Sequence, residues 1–247
     1  MKTLLLAALL ALVACGESPR RPRGRAASST QVASPSAGAT APARIEIPLD
    51  DVAGVTASLA RNFYFIIDGS GSMNEPCKGD KAFERKIDGA KWAVREFLAH
   101  VPEDANLGLW VFDKHGMGER VALGPDNRAV FQRAVQALEA GGETPLAGSI
   151  LAAVEKLIAQ YKHQLGYGEY RLVIVTDGQA EGIPDAARHA SAYGFPIYTI
   201  GFCIGSDHPL RQVSVSYRAA DSAADLQAGL EAALAEVETF DPTSFVK

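Results

Sequence analysis

The sequence predicts an α/β fold: a doubly wound, mainly parallel, six-stranded sheet with helices on both faces, similar to a Rossmann fold. Three observations support this prediction. Strand-like and helix-like segments alternate over residues 45–247, which is typical of α/β domains. The strand-like segments are continuous apolar runs, as expected for strands covered on both faces. Three of these runs end in an aspartate, and two of them, 62–68 and 170–177, carry the candidate site at the edge of the sheet where such folds bind ligands.

Each element has its own local signal. Six short segments are predicted as strands because they are rich in apolar, β-branched or aromatic residues. They cover residues 62–68, 106–113, 119–124, 170–177, 195–202 and 213–220. Apolar residues at helical spacing predict the helices between them. These cover residues 84–101, 127–138, a stretch that begins at Pro145, 184–193, and a last stretch opened by Ser222. Proline suits a first helical position, and Ser222 with Asp225 resembles a capping box.

The N-terminus predicts export and lipidation. Residues 1–14 join one basic residue to a short apolar run, which suits a signal peptide and is too short to span a bilayer. The segment Leu12-Val13-Ala14-Cys15 resembles the lipobox of bacterial lipoproteins, which implies cleavage before Cys15 and lipidation of its thiol. A plain secretory signal is the alternative. Residues 15–44 are then a lipidated cysteine and a disordered tether rich in Pro, Ser, Ala and Arg.

These assignments predict a location and exclude one class of partner. The protein is expected in the bacterial cell envelope, held to the membrane by its lipid, and in the outer membrane if the source is Gram-negative. The folded domain, residues 45–247, has 18 basic and 28 acidic side chains, a formal charge near −10. Nucleic-acid binding requires phosphate neutralisation, so we expect no nucleic-acid partner.

Two cysteines remain after lipidation of Cys15, namely Cys77 and Cys203. An exported protein is in an oxidising environment, where a disulfide between them can form. Two buried free thiols are the alternative, because sequence spacing does not reveal spatial distance.

The segment FIIDGSGSM at 65–73 is the first candidate site. Asp, Ser and Gly are common turn residues, so the segment alone fits a polar turn. It lacks the spacing of a phosphate-binding glycine loop and of a nucleophile elbow. An aspartyl-nucleophile phosphatase would need a second carboxylate and a lysine nearby, and the sequence does not place them.

Two further segments change the interpretation. The pattern D-x-S-x-S at 68–72, the threonine of GGETPL and the TDG at 176–178 together resemble the von Willebrand factor type A (VWA) domain. The resemblance covers roughly residues 60–240 and preserves the motif order. In that family these loops form the metal-ion-dependent adhesion site (MIDAS). The resemblance implies five metal ligands, Asp68, Ser70, Ser72, Thr144 and Asp177.

The residue types agree with that expectation. Oxygen donors without histidine or thiolate select a hard cation such as Mg²⁺, with Mn²⁺ or Ca²⁺ as alternatives. Three of the five ligands are neutral hydroxyls, so the cation would keep positive charge for an acidic side chain of a partner. Gly69 and Gly71 are expected to permit a tight turn around the ion.

The sequence therefore predicts a protein-binding module, not an enzyme, whose partner presents Asp or Glu to the ion. A metal-assisted hydrolase and a structural envelope lipoprotein with a fold-stabilising metal are the alternatives. The five histidines form no metal-binding motif and are expected on the surface or in satisfied structural roles. Asp113 and Asp207 could shape the rim of the site, although a solvated loop carboxylate is the preferred interpretation.

Overall fold

The structure is a computed structural model, and it describes residues 44–49, 55, 57–78, 81–178, 180–204 and 208–235. All of these residues belong to one compact unit, Pro42–Lys247. The predicted signal peptide and Cys15 lie outside the described residues, as does nearly all of the predicted tether. Within the described ranges, no helix has the length and apolar character needed to cross a membrane.

In the described part of the chain, six strands form a single sheet. They are β1 (Arg61–Asp68), β2 (Asn106–Asp113), β3 (Gly116–Gly124), β4 (Glu169–Thr176), β5 (Ile197–Phe202) and β6 (Ser216–Ala220). Their order is β3-β2-β1-β4-β5-β6. Only the edge strand β3 is antiparallel to its neighbour; the other four pairings are parallel. The predicted fold class is confirmed.

Among the described residues, five α-helices cover the two faces of this sheet. They are α1 (Lys86–Leu98), α2 (Arg128–Gln136), α3 (Leu146–His163), α4 (Ile183–Ala192) and α5 (Ala223–Ala235). Side chains of α1, α2 and α5 form one apolar cluster with the sheet, and side chains of α3 and α4 form the other. The sheet is therefore the middle layer of three.

The central strand β1 supplies both clusters. Phe63, Phe65 and Ile67 belong to the α1 side, and Tyr64 and Ile66 belong to the α3 side. Each is at most 1% exposed. Alternate side chains of a strand point to opposite faces, and fully burying one such side chain stabilises the fold by about 1.5–3 kcal/mol. This two-sided burial explains why β1 reads as a continuous apolar run.

Six predicted boundaries are wrong by two or more residues, including the start of β5 at Ile197 rather than residue 195 and the end of α2 at Gln136 rather than residue 138. The helix predicted over 84–101 spans only Lys86–Leu98. The third strand begins at Gly116 rather than at residue 119, because its glycine-rich start pairs with β2 across a hairpin that the apolar pattern does not show. The last strand begins at Ser216 rather than at residue 213, since Val213 follows a short 3-10 turn, Pro209–Gln212.

The strand order places a ligand crevice beside β1. The chain leaves β1 toward β2 on one side, and later returns to β4 on the other side. The direction of winding thus reverses between β1 and β4. In open α/β sheets ligands bind beyond the carboxyl ends of the strands at this point, where Asp68 ends β1 and Asp177 follows β4.

Candidate metal centre

The two predicted aspartates lie at the same end of neighbouring parallel strands. Asp68 is the last residue of β1, and Asp177 directly follows Thr176, the last residue of β4. The pairing register places Ile67 beside Val175. Because parallel strands end at the same edge of a sheet, this register brings the two carboxylates together. Both are buried, with 0% of Asp68 and 6% of Asp177 exposed.

The first loop follows β1 and carries Ser70 and Ser72. Hydrogen bonds join it to these carboxylates. Asp68 Oδ1 accepts from the Ser70 N–H at 2.8 Å, and the hydroxyl oxygens of Ser70 and Ser72 lie 3.2 Å apart. Ser72 Oγ donates to Asp177 Oδ1 at 2.8 Å. Since the Ser72 proton is directed to Asp177, Ser72 Oγ faces the Ser70 hydroxyl as an acceptor.

A threonine hydroxyl holds the other carboxylate oxygen of Asp68. Thr176 Oγ1 donates to Asp68 Oδ2 at 2.6 Å. Both carboxylate oxygens of Asp68 are therefore hydrogen-bonded, which fixes the rotation of the group. We did not assign Thr176 a role from the sequence, although it is the first residue of the TDG motif.

The second loop, which carries Thr144, is attached to the first loop through backbone hydrogen bonds. The Gly141 N–H donates to the Gly69 carbonyl at 2.8 Å, and the Gly71 N–H donates to the Gly142 carbonyl at 3.1 Å. Gly142 has a φ of 84°, a left-handed conformation that glycine adopts without a steric cost. These two bonds set the distance between the first and second loops.

The third loop follows β4 and begins with Asp177 and Gly178. The surroundings of Gly178 show how closely the three loops approach one another. A Cβ atom built on Gly178 would lie 3.4 Å from Thr144 Oγ1 and 3.6 Å from Asp68 Oδ2. The Thr144 hydroxyl and the Asp68 carboxylate therefore face the same small space beside the third loop. The structure thus brings all five predicted residues to one place.

Burial also determines the electrostatics of this place. Desolvation raises the pKa of Asp68, and the nearby charge of Asp177 raises it further, while hydrogen bonds from Ser70 and Thr176 oppose the increase. A positive charge in this position would stabilise the ionised carboxylates. The electrostatic environment therefore favours a bound cation.

Lys86 is the main component that the sequence analysis missed. Its Nζ lies 2.8 Å from Asp177 Oδ2, and the two side chains are only 10% and 0% exposed. Lys86 is the first residue of α1 and is 91 positions from Asp177. No local pattern distinguishes it from the neighbouring Lys81 and Arg85, which belong to the same charged stretch.

The interpretation of Asp113 as a solvated loop carboxylate is wrong. Asp113 is 6% exposed. Its carboxylate accepts hydrogen bonds from the N–H groups of His115 and Glu139 and from Arg120. It therefore organises the turn after β2 and the approach to the second loop. Asp207 lies outside the described residues.

Gly69 and Gly71, for which the same role was expected, differ in their packing. A Cβ on Gly69 would lie 2.8 Å from the Cβ of Asp113, so Gly69 is required by close packing. Gly71 does not have a positive φ, and a Cβ there would make only an ordinary contact, 3.5 Å from the Gly142 carbonyl oxygen. Gly69 also lacks a positive φ, so the tight-turn explanation is wrong for both glycines.

His208 supports the third loop. It is 3% exposed, and its Nδ1 accepts from the Leu210 N–H at 3.2 Å. The other ring nitrogen, Nε2, therefore donates to the Gly178 carbonyl at 2.8 Å. This is the satisfied structural role expected for a histidine.

A disulfide lies beside the site. Cys77 and Cys203 are joined with an S–S distance of 2.04 Å, which links the segment after the first loop to the end of β5. With Glu75, Lys78, Lys86 and Asp221, the disulfide lines a cleft of about 300 Å³.

The donor set fits a hard divalent cation. Across the described ranges, no three His, Cys, Asp or Glu side chains cluster in a way that could hold a metal. The site offers two carboxylates and three hydroxyls instead, all oxygen donors of the kind that Mg²⁺ and Ca²⁺ prefer. Such a site depends on neutral hydroxyls as much as on charge.

Comparisons with known proteins identify the family. The profile of the von Willebrand factor type A domain matches residues 62–231, and the chain belongs to this family. The uncharacterized protein YwmD of Bacillus subtilis (strain 168) is 31% identical over 131 residues, which are 48% of this chain and 55% of that protein. The alignment therefore spans about half of the length of this relative.

Solved structures share the fold at low sequence identity. The vWF domain of the type V pili tip protein Mfa5 from Porphyromonas gingivalis has a TM-score of 0.60 and 11% identity, covering 74% of this chain and 96% of that one. An aerotolerance-related membrane protein from Bacteroides fragilis has a TM-score of 0.55 and 12% identity, covering 72% and 98%. These similarities establish the fold alone.

Proposed function

We propose that this chain is an envelope-anchored protein-binding module in which a divalent cation receives an Asp or Glu side chain of a partner protein. The observation that carries the proposal is the convergence of two buried carboxylates and three hydroxyls from three loops at the switch point of the sheet. Proteins of this family generally mediate protein–protein interaction, often with a metal. Mg²⁺ is the proposed cation, with Mn²⁺ or Ca²⁺ as alternatives.

Each proposed ligand has a distinct task. Asp68 and Asp177 supply the negative charge that retains a cation, and their hydrogen bonds fix their orientation. Ser70, Ser72 and Thr144 supply neutral oxygens. A bound divalent cation would supply a Lewis-acidic centre for an anionic oxygen, and these hydroxyls would hold it without cancelling its charge.

We propose that the protein is not an enzyme. Lys86 supplies the lysine that an aspartyl-nucleophile phosphatase would need and that the sequence did not place. However, Asp68 is 0% exposed and both of its carboxylate oxygens are hydrogen-bonded. A nucleophile must reach its substrate, so the geometry disfavours Asp68 as a nucleophile.

Envelope anchoring remains a prediction from residues 1–44, which contain the proposed lipidation site, Cys15. The Bacteroides fragilis structure with the same fold is that of a membrane protein, and the Porphyromonas gingivalis domain belongs to a pilus tip. Metabolic labelling with a fatty acid tests the prediction. We expect label on the full chain and none on Cys15→Ser.

Capture from a bacterial envelope extract in Mg²⁺ and in EDTA tests the proposed function. Each retained protein is identified, purified, and changed from Asp or Glu to Asn or Gln at its exposed acidic positions. We expect binding in Mg²⁺ that EDTA, Asp68→Asn and one acidic substitution in the partner each abolish.

Asp185→Asn is the matched control, because it removes a carboxylate that is 82% exposed on α4. Binding that persists in EDTA or in a folded Asp68→Asn would refute the proposal. A cation that raises the melting temperature without any retained partner would favour the structural lipoprotein, and cation-dependent turnover would favour the hydrolase.

A further inference from the structure

Lys86 has an unusual position for a lysine. Its ammonium group lies 2.8 Å from Asp177 Oδ2, and its side chain is 10% exposed. Burying an ammonium group is costly unless it is paired. The pair is therefore a fixed component of the site, unlike a mobile surface salt bridge.

The backbone holds Lys86 in this position. Its N–H donates to the Glu75 carbonyl at 2.9 Å where α1 begins. Glu75 is the other carboxylate near the ammonium, at 4.0 Å, but its side chain is 70% exposed. Water screens such a carboxylate, so Asp177 is the dominant partner of Lys86.

The net charge of the site depends on three side chains. With both carboxylates ionised, Asp68, Asp177 and Lys86 sum to one negative charge. A divalent cation then leaves the loaded site with one positive charge. Without Lys86 the loaded site would be neutral.

We propose that Lys86 is a built-in counter-ion that weakens cation binding and strengthens the attraction of the loaded site for a carboxylate. The inference rests on the proposed function and identifies the residue that tunes it. Lys86 repels the cation, since like charges at close range raise each other's energy. The same positive charge attracts an anionic ligand.

The inference predicts effects of opposite sign in one variant. Lys86→Gln should bind Mg²⁺ and Mn²⁺ more tightly, with a Kd lower by about tenfold, which corresponds to about 1.4 kcal/mol. Its Mn²⁺-loaded form should bind a carboxylate more weakly, by about fivefold or more. A lysine that served only to hold the fold together would, when replaced, weaken both.

Two measurements on the purified full chain, after dialysis against a chelator, test the inference. Titration calorimetry gives the affinities for Mg²⁺ and Mn²⁺. Water proton relaxation of the Mn²⁺-loaded protein, titrated with acetate as the carboxylate probe, gives the second affinity. Lys86→Arg keeps the charge and should stay within about twofold of the native chain in both.

Lys156→Gln is the matched control, because Lys156 also pairs with a carboxylate, Glu119, at 2.6 Å but outside the site. It should leave both affinities unchanged. If the native chain binds cation and Lys86→Gln binds it equally or less tightly, the inference is wrong while the proposed function stands. If the native chain binds no cation, the proposed function is wrong, and the inference is wrong with it.

Discussion

Two lysine–carboxylate pairs in this protein have similar geometry and different surroundings. Lys86 lies 2.8 Å from Asp177 in the candidate site, and Lys156 lies 2.6 Å from Glu119 between α3 and β3. Glu119 also accepts from the Tyr64 hydroxyl at 2.8 Å. Burial, the hydrogen bond to Glu119 and its charge all raise the pKa of Tyr64, so the phenol stays neutral.

The two clusters differ in whether their charges are balanced. Around Glu119 one carboxylate meets one ammonium and one neutral phenol, so the charges cancel. Around Asp177 two carboxylates share one ammonium. The first cluster lies within two strands and a helix, and the second lies at the ends of β1 and β4, at the start of α1 and in the adjoining loops. Uncompensated carboxylate charge at the switch point is therefore the feature that supports the proposed function.

The largest expected effect concerns the disulfide, which lies beside the candidate site. Replacing Cys77 and Cys203 with serine should lower the free energy of unfolding by about 4 kcal/mol, because the bond closes a long loop. The two cysteines are 126 positions apart. Denaturant titration with and without reductant measures the change. An unfolding midpoint that reductant does not alter would contradict it.

The next effect concerns the charge of the candidate site. Asp68→Asn should reduce Mg²⁺ affinity by at least about 100-fold, equivalent to about 2.7 kcal/mol, because it removes one of two carboxylates. We expect Mg²⁺ to raise the melting temperature of the native chain. This increase should disappear in Asp68→Asn. Asp185→Asn, on exposed α4, should retain that increase. Equal Mg²⁺ responses of the two variants would break the distinction between the two clusters.

Glu119→Gln tests the cluster that we assign to the fold. It should lower the free energy of unfolding by about 1–3 kcal/mol, because the buried Tyr64 hydroxyl and the Lys156 ammonium lose a charged partner. Mg²⁺ affinity should not change. Glu139→Gln is the control, since Glu139 pairs with Lys114 where both side chains are more than half exposed. A change in Mg²⁺ affinity in Glu119→Gln would mean that the clusters are coupled.

The smallest expected effect concerns a single hydroxyl. Ser72→Ala should reduce Mg²⁺ affinity by about tenfold, or about 1.4 kcal/mol, because it removes one neutral ligand and the hydrogen bond to Asp177. Ser214→Ala is the control, since Ser214 and Thr199 form another hydroxyl pair, 2.7 Å apart. Titration calorimetry measures both variants. An unchanged affinity in Ser72→Ala would exclude this hydroxyl from the ligand set.

The sequence predicted the layered sheet because its signals are local. Continuous apolar runs predicted β1 and β4, and helical periodicity predicted α3. The local patterns did not show where pairing with a neighbouring strand sets a boundary. The start of β3 at Gly116 is an example, since glycine has no strand preference and gains its place only by pairing with Asp113 of β2.

The candidate site was predicted in part for the same reason. Asp68, Ser70 and Ser72 lie within one short motif, and Thr144 and Asp177 belong to two more. Their types and order carried the prediction. The burial of Asp113 had no such signal, because it depends on N–H groups of two separate segments, at His115 and Glu139.

The sequence by itself determined the class of fold and the residue types of the proposed hard-cation site, because periodicity and side-chain chemistry are properties of short segments. The tertiary structure decided how those residues are charged and held. It placed Lys86 on Asp177 and Cys77 on Cys203. Such contacts join distant segments, and their energies depend on burial and distance, which appear only when the chain is folded.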